Sequence, residues 1–173
     1  VVLGARRTEL LEKTAEECRR FRVRAEAVRT DVRNQNDCRA LIERAGRVDI
    51  LVNNAGFAIY DETADANPAE WRDMMDTNFF GAVYCTQAVL PHMLERGSGT
   101  IVNVASITGL MGYARMGGYC ATKFAMVGWS EALRDEVIGR GVRVALVCPA
   151  TTDTDFFVKA ERGKMPGRSR LML

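Results

Sequence analysis

The sequence predicts an α/β fold, a doubly wound parallel sheet with helices on both faces. Three observations carry that prediction. Short β-branched runs alternate with longer amphipathic ones along the whole chain. Two of the short runs, "VDILVNN" and "GTIVNVAS", read as buried strands, the first nearly continuously apolar as strands covered on both faces are. No Ser- or Gly-rich linker and no internal repeat interrupts the alternation. Parallel neighbours need crossover connections, and a helix between every pair of strands supplies them.

The elements follow in order. "VVL" opens the chain as a strand, and a helix begins near Thr8. "RAEAVRTDV" holds the second strand. "NQNDCRALIERAG" is a helix with Asn34 near its start and Gly46 at its end. After the third strand, "VDILVNN", Asn67 caps a helical region and Pro68 occupies its first turn. Phe79, Val83, Leu90 and Leu94 recur at helical spacing through the second half of that region. "GTIVNVAS" is the fourth strand, "GGYCATKFAMVGWSEALRDEVIGRG" the next helix and "VRVALVCP" the last strand. One domain over residues 1–173 is expected. The chain opens on a strand already under way and closes on "GKMPGRSRLML", so it reads as a fragment, and any membrane attachment encoded upstream is left open.

Composition narrows the function. The 173 residues carry a formal net charge of +2, with basic residues scattered among acidic ones, and give no sign of a nucleic-acid partner. The densest basic run, Arg19, Arg20, Arg22 and Arg24, reads as a solvated turn. Five cysteines without a C-x-x-C pair fit free thiols in a reducing compartment, so a cytoplasmic location is expected. A single histidine, His92, rules out multi-histidine metal sites within this segment, and no metal ligand set is expected.

In a doubly wound sheet, ligands gather outside the C-terminal ends of the strands. Asp31, Asn53, Asn54, Ser106 and the segment from Pro149 to Thr154 all fall at those ends, and Tyr119 and Lys123 open the helix after Ser106. Tyr119 and Lys123 are four apart, which places them on one helix face. A phenol titrates near pH ~10, and a neighbouring ammonium and a helix N-terminus both favour its ionised form. Lys123 is therefore expected to lower the pKa of Tyr119 and fit it for acid–base work on a bound oxygen. Ser106 can hydrogen-bond the same oxygen, since a hydroxyl both donates and accepts. "GTIVNVASITG" lacks the G-x-S-x-G elbow, so a nucleophilic serine is not expected. Proton transfer at a carbonyl oxygen in this fold points to hydride transfer, which needs a nicotinamide cofactor.

These motifs occur in a familiar order. "NNAG" at 53–56, Asn78 in "MMDTNFFGA", Ser106 and "YCATK" at 119–123 resemble the short-chain dehydrogenase/reductase family, which is Rossmann-like. "DV" at 31–32 and "CPATTDT" at 148–154 look like its adenine-side and nicotinamide-side segments. The resemblance implies that Tyr119 is the general acid/base and that Lys123 tunes it while bonding the nicotinamide ribose. It implies that Ser106 orients the substrate and that Asn78 holds a water linking Lys123 to solvent. Asp31 and Val32 would face the adenine, while Asn53, Ala55 and Gly56 would line the cofactor's path. Pro149, Thr152 and Thr154 would meet the nicotinamide end. Asn54 is given a structural part, tying neighbouring strands. A homo-oligomer, dimer or tetramer, is implied as well.

Two features depart from the family pattern. Its Pro-Gly is Pro149-Ala150 here, and its first strand and glycine-rich turn are missing. The family's strand order puts that strand between those holding Val1 to Leu3 and Val48 to Val52. Two unpaired edges and an open core are expected, so the segment by itself is expected neither to fold stably nor to bind cofactor. "GARR" after the first strand offers no acidic residue for a ribose hydroxyl, whereas Arg6 or Arg7 can meet a 2′-phosphate. NADP(H) is therefore preferred over NAD(H). The expected activity is interconversion of a small-molecule carbonyl and a secondary alcohol. One alternative is a 3-oxoacyl-carrier-protein reductase, with Lys159, Arg162, Lys164 and Arg168 facing the acidic carrier. Another is a catalytically silent cofactor-binding sensor or scaffold. Leu110, Met111, Met116, Phe156 and Phe157 suggest an apolar substrate pocket or a subunit contact.

Overall fold

A computed structural model describes residues 1–150, so Thr152, Thr154 and the tail with Phe156, Phe157, Lys159, Arg162, Lys164 and Arg168 lie outside the described residues. Among the described residues, strands and helices alternate except where α3 and α4 follow one another: β1 (Val2–Ala5), α1 (Thr8–Arg19), β2 (Glu26–Arg29), α2 (Gln35–Ala45), β3 (Ile50–Asn53), α3 (Pro68–Met75), α4 (Gly81–Glu95), β4 (Gly99–Val104), α5 (Gly117–Glu136) and β5 (Val142–Val147). Local chemistry sets their ends. Asn34 accepts the backbone N–H of Asn36 at 2.9 Å to start α2, and Gly46 stops it with a φ of 65°. Asn67 accepts from Ala69 at 3.0 Å, and Pro68 fills the first position of α3.

The pairing is parallel throughout, as a doubly wound sheet with helical crossovers requires. The strands nonetheless form two groups, β1-β2 and β3-β4-β5. β1 and β3 face one another across a cleft of about 1080 Å³ whose walls include Leu3, Ala5, Leu51, Gly56 and Cys85. α2, α4 and α5 bury a shared core of Cys38, Ile42, Leu51, Cys85, Val89, Ile101, Leu133 and Val144 on one face of the larger group.

The apolar run through β3 predicts two covered faces, and the structure covers one. Leu51 and Asn53 are buried, whereas Ile50 and Val52 are 62% and 56% exposed and line the cleft. The helix packed on β3 sits on the side of Asn53, because Thr86 of α4 meets that residue. Nothing among the described residues covers the opposite side. No helix among the described residues is long and apolar enough to cross a membrane.

A buried polar ladder runs along the covered face. Asn53 Nδ2 donates to Thr86 Oγ1 at 3.1 Å and to Asn103 Oδ1 at 2.8 Å. Asn103 Nδ2 donates to Ser130 Oγ at 2.9 Å, and that hydroxyl donates to the Met126 carbonyl at 2.6 Å. Asn53 and Asn103 stand opposite one another in the β3–β4 register. The expectation that Asn54 ties the strands is therefore corrected: Asn53 does so, and Asn54 is exposed. Side chains alternate along a strand, and Asn53 is the one on the core face. Asn103→Ala strands an amide hydrogen of Asn53 and removes the donor to Ser130. It should lower stability by about 2–4 kcal/mol, read from urea unfolding of the full-length protein.

Candidate active site

β4 ends at Val104, and Ser106 follows in extended backbone. Its Oγ accepts the Thr108 N–H at 3.2 Å and so caps a short turn, Ile107–Gly109. That turn packs against α5: a Cβ on Gly109 would meet the Lys123 carbonyl at 2.7 Å, which only glycine avoids. α5 begins at Gly117, so Tyr119 stands in its first turn and Lys123 one turn later. The Ser106 hydroxyl lies close enough to Tyr119 to favour the ionised form of the phenol. Lys123 Nζ donates to the Val104 carbonyl at 2.9 Å and lies 5.6 Å from the centre of the Tyr119 ring.

Tyr119 and Lys123 are 6% and 5% exposed, and this governs their titration. Burial moves the Lys123 ammonium down from 10.5 to about 8. Burial also pushes Tyr119 up from 10.0 to about 12, although the Ser106 hydroxyl works in the other direction. The expected lowering of Tyr119 by Lys123 is thus corrected. The same loss of water penalises phenolate and ammonium alike, and at this separation desolvation wins. Tyr60, buried in the same apolar cluster, has its own phenol raised to about 12, chiefly by burial.

Asn78 reaches the site through a π-helical turn, Asp76–Phe80, set between α3 and α4. It is 1% exposed. Its Oδ1 accepts the Phe57 N–H at 2.9 Å, while Nδ2 donates to the Phe57 carbonyl at 2.8 Å and to Thr122 Oγ1 at 3.0 Å. The clamp holds the backbone beside Gly56, where an added Cβ would stand 3.1 Å from Asn78 Oδ1 and 3.8 Å from Lys123 Nζ. Asn78, Ser106, Tyr119 and Lys123 are in this way brought together at the C-terminal end of β4.

The residues expected along a cofactor's path are distributed around the cleft. Arg6, Arg7, Val32, Asn53, Ala55 and Gly56 line it. Arg6, Arg7 and Ala55 are exposed, whereas both amide hydrogens of Asn53 are spent on the ladder. Asp31 lies beside the cleft, gripped by Arg33 through Nη2 at 2.5 Å and Nε at 2.9 Å. Arg33 also reaches Asp73 at 2.5 Å, and its hydrogen bond to Asp31 holds that carboxyl down at about 2. Pro149 accepts the Ile107 N–H at 3.1 Å, which brings the end of β5 to the Ser106 turn. Of the apolar residues after Ser106, Met116 is buried against Tyr119, while Leu110 and Met111 are 56% and 53% exposed.

Sequence reasoning missed Arg33 and Thr122. A small polar residue inside the apolar stretch of a helix, three positions after Tyr119, was a signal for Thr122. Nothing local marks Arg33, whose second partner is 40 residues away.

The Lys123 shift has a testable sign. Its folded value, about 8, lies below the reference 10.5, so between these the unfolded chain holds the extra proton and rising pH favours the fold. Tyr119 acts oppositely above pH 10.0, where the unfolded phenol ionises first. The contribution of Lys123 to stability should therefore rise by roughly 2 kcal/mol between about pH 8 and 10. Lys123→Met should flatten that rise in urea-midpoint measurements across the range.

The geometry has counterparts among known proteins. The family model described as short chain dehydrogenase matches residues 1–164. A ketoacyl reductase, HetN, from a Nostoc species is 41% identical over 130 residues, covering 73% of this chain and 45% of its own. An actinorhodin polyketide ketoreductase variant solved with NADPH superposes with a TM-score of 0.84 at 39% identity, covering 88% of this chain and 61% of that one. A short chain dehydrogenase/reductase from Burkholderia phymatum, in complex with NAD, gives 0.86 at 29% identity, covering 98% and 66%. The chain spans about half to two thirds of the length of the curated relatives it matches. A match over nearly all of its residues, on a parallel α/β frame that gathers serine, tyrosine and lysine at one strand end, means that this chain belongs to the short-chain dehydrogenase family.

Proposed function

We propose that the protein is a nicotinamide-dependent oxidoreductase that interconverts a carbonyl and a secondary alcohol. One observation carries this reading: a buried phenol with a serine hydroxyl beside it and a buried ammonium one helical turn on. Ser106 and Tyr119 together hold the substrate oxygen. At neutral pH Tyr119 retains its proton, so it is set to donate to an oxygen that gains negative charge, which favours the reducing direction. Lys123 supplies positive potential beside that oxygen and keeps further N–H donors for a ribose hydroxyl. Asn78 has its carboxamide engaged by Phe57 and Thr122, and the resemblance assigns it a water that would link Lys123 to solvent.

The cleft residues fit a dinucleotide. Two arginines stand at its rim, and Ala55 and Gly56 offer backbone that runs to within reach of Lys123. When bound, nicotinamide supplies the hydride that no side chain here carries. Arg6, Arg7, Asp31, Val32, Asn53, Ala55, Gly56, Pro149, Thr152 and Thr154 are the proposed contacts, and Arg6 and Arg7 favour NADP(H) over NAD(H). Solved relatives hold either cofactor. Two relatives are named ketoacyl reductases, which favours a ketoacyl group as substrate and keeps the carrier-linked reading in view. A homo-oligomer in the cytoplasm completes the proposal, and the five free thiols suit that compartment.

Tyr119→Phe in the full-length protein should lower carbonyl turnover by roughly 10²- to 10⁴-fold, measured with a ketone panel that includes carrier-linked 3-oxoacyl groups. Undiminished turnover in that variant refutes the proposed chemistry. Cofactor binding without turnover of any panel member by the unaltered protein would favour the sensor or scaffold reading. Arg6→Asp should cut the kcat/KM preference for NADP(H) by about tenfold, the loss of one charged hydrogen bond.

A further inference from the structure

One hydroxyl next to the site is used twice. Thr122 Oγ1 donates to the Tyr119 carbonyl at 2.8 Å and accepts from Asn78 Nδ2 at 3.0 Å. Asn78 in turn grips both backbone groups of Phe57. The chain Phe57–Asn78–Thr122–Tyr119 is sealed from water, with Thr122 0% and Asn78 1% exposed. In such surroundings each bond is directional and expensive to break. We propose that Thr122 is a positioning residue, whose hydroxyl carries the Asn78 clamp onto the backbone of Tyr119 and so sets where the phenol stands relative to Ser106.

A threonine bonding the carbonyl three residues back is ordinary helix behaviour. The second partner, from a separate element, is what makes this one different. The same arrangement occurs lower on α5, where Ser130 Oγ bonds the Met126 carbonyl and takes the Asn103 amide. The catalytic helix is thus bolted by an asparagine at two places. The Ser130 bolt lies eleven residues from Tyr119, or roughly 16 Å along the axis, and bonds only the Met126 carbonyl and Asn103. The Thr122 bolt acts on the reacting residue itself. A phenol that drifts by an ångström loses the alignment on which proton donation depends.

The proposal rests on the function proposed for Tyr119, and its test separates the two. In the full-length protein, Thr122→Val removes the hydroxyl at nearly constant volume, Thr122→Ser keeps it, and Ser130→Ala releases the distant bolt. Thr122→Val should lower kcat per folded molecule by roughly 10- to 100-fold, with Thr122→Ser restoring it. Ser130→Ala should reduce the unfolding midpoint and lower kcat per folded molecule much less than Thr122→Val does. The Tyr119 phenol, followed by NMR through ¹³Cζ-labelled tyrosine, should titrate at a different pH in Thr122→Val than in the unaltered protein or Thr122→Ser. Wild-type kcat and titration in Thr122→Val overturn the proposal. If that variant does not fold, Thr122→Cys takes its place, and wild-type values there overturn it equally. Should the unaltered protein reduce no ketone, the functional reading fails while the titration still decides the part played by Thr122.

Discussion

The amide pair between Asn53 and Asn103 is the contact on which the remaining geometry depends. A parallel strand pair can slip, and a one-residue slip turns every side chain to the opposite face. Two carboxamides held in register at 2.8 Å, one also bound to Thr86 of α4 and the other to Ser130 of α5, oppose that slip. Since the atoms are buried, any other register would strand several donors and acceptors at once. With β3, β4, α4 and α5 locked together, the ends of the strands are fixed in space. Gly56 follows one end, Ser106 follows the other, Asn78 precedes α4, and Tyr119 and Lys123 open α5.

Burial then decides the chemistry of what has been gathered. An ammonium 5% exposed beside a phenol 6% exposed is costly, and the fold offsets part of the cost through the Val104 carbonyl and the Ser106 hydroxyl. The result is a neutral phenol next to an ammonium whose hold on its proton burial has weakened. On the function proposed above, that phenol would give up its proton once negative charge develops on a bound oxygen. Any ligand that brings its own hydroxyls and charges into the site would change the balance, which makes the pair responsive to occupancy.

The cleft between β1 and β3 is lined by Arg6, Arg7, Val32 and Ala55, and Gly56 lies both in it and beside Asn78 and Lys123. Ile50 and Val52 lie in it with their apolar surface open, although the run they belong to has the composition of a fully covered strand. Arg33 illustrates a related point on the other side of the cleft. By pinning Asp31 to Asp73 it orients the carboxylate after β2 and fixes the loop that leads to Val32.

Much of this was legible in the residues alone, and the division follows the range of the forces. The caps at Asn34 and Asn67, the stop at Gly46, the strand–helix alternation and the one-turn spacing of Tyr119 and Lys123 are local, so periodicity and side-chain chemistry suffice to read them. Only the tertiary structure decided which asparagine of the pair at 53 and 54 faces the core. It also decided that a π turn aims Asn78 at Phe57, and that Thr122 closes the circuit to Tyr119. The direction in which burial moves the lysine and the phenol belongs with these. Each depends on atoms brought together from distant segments and on the water they exclude, and neither is encoded in a short stretch of sequence.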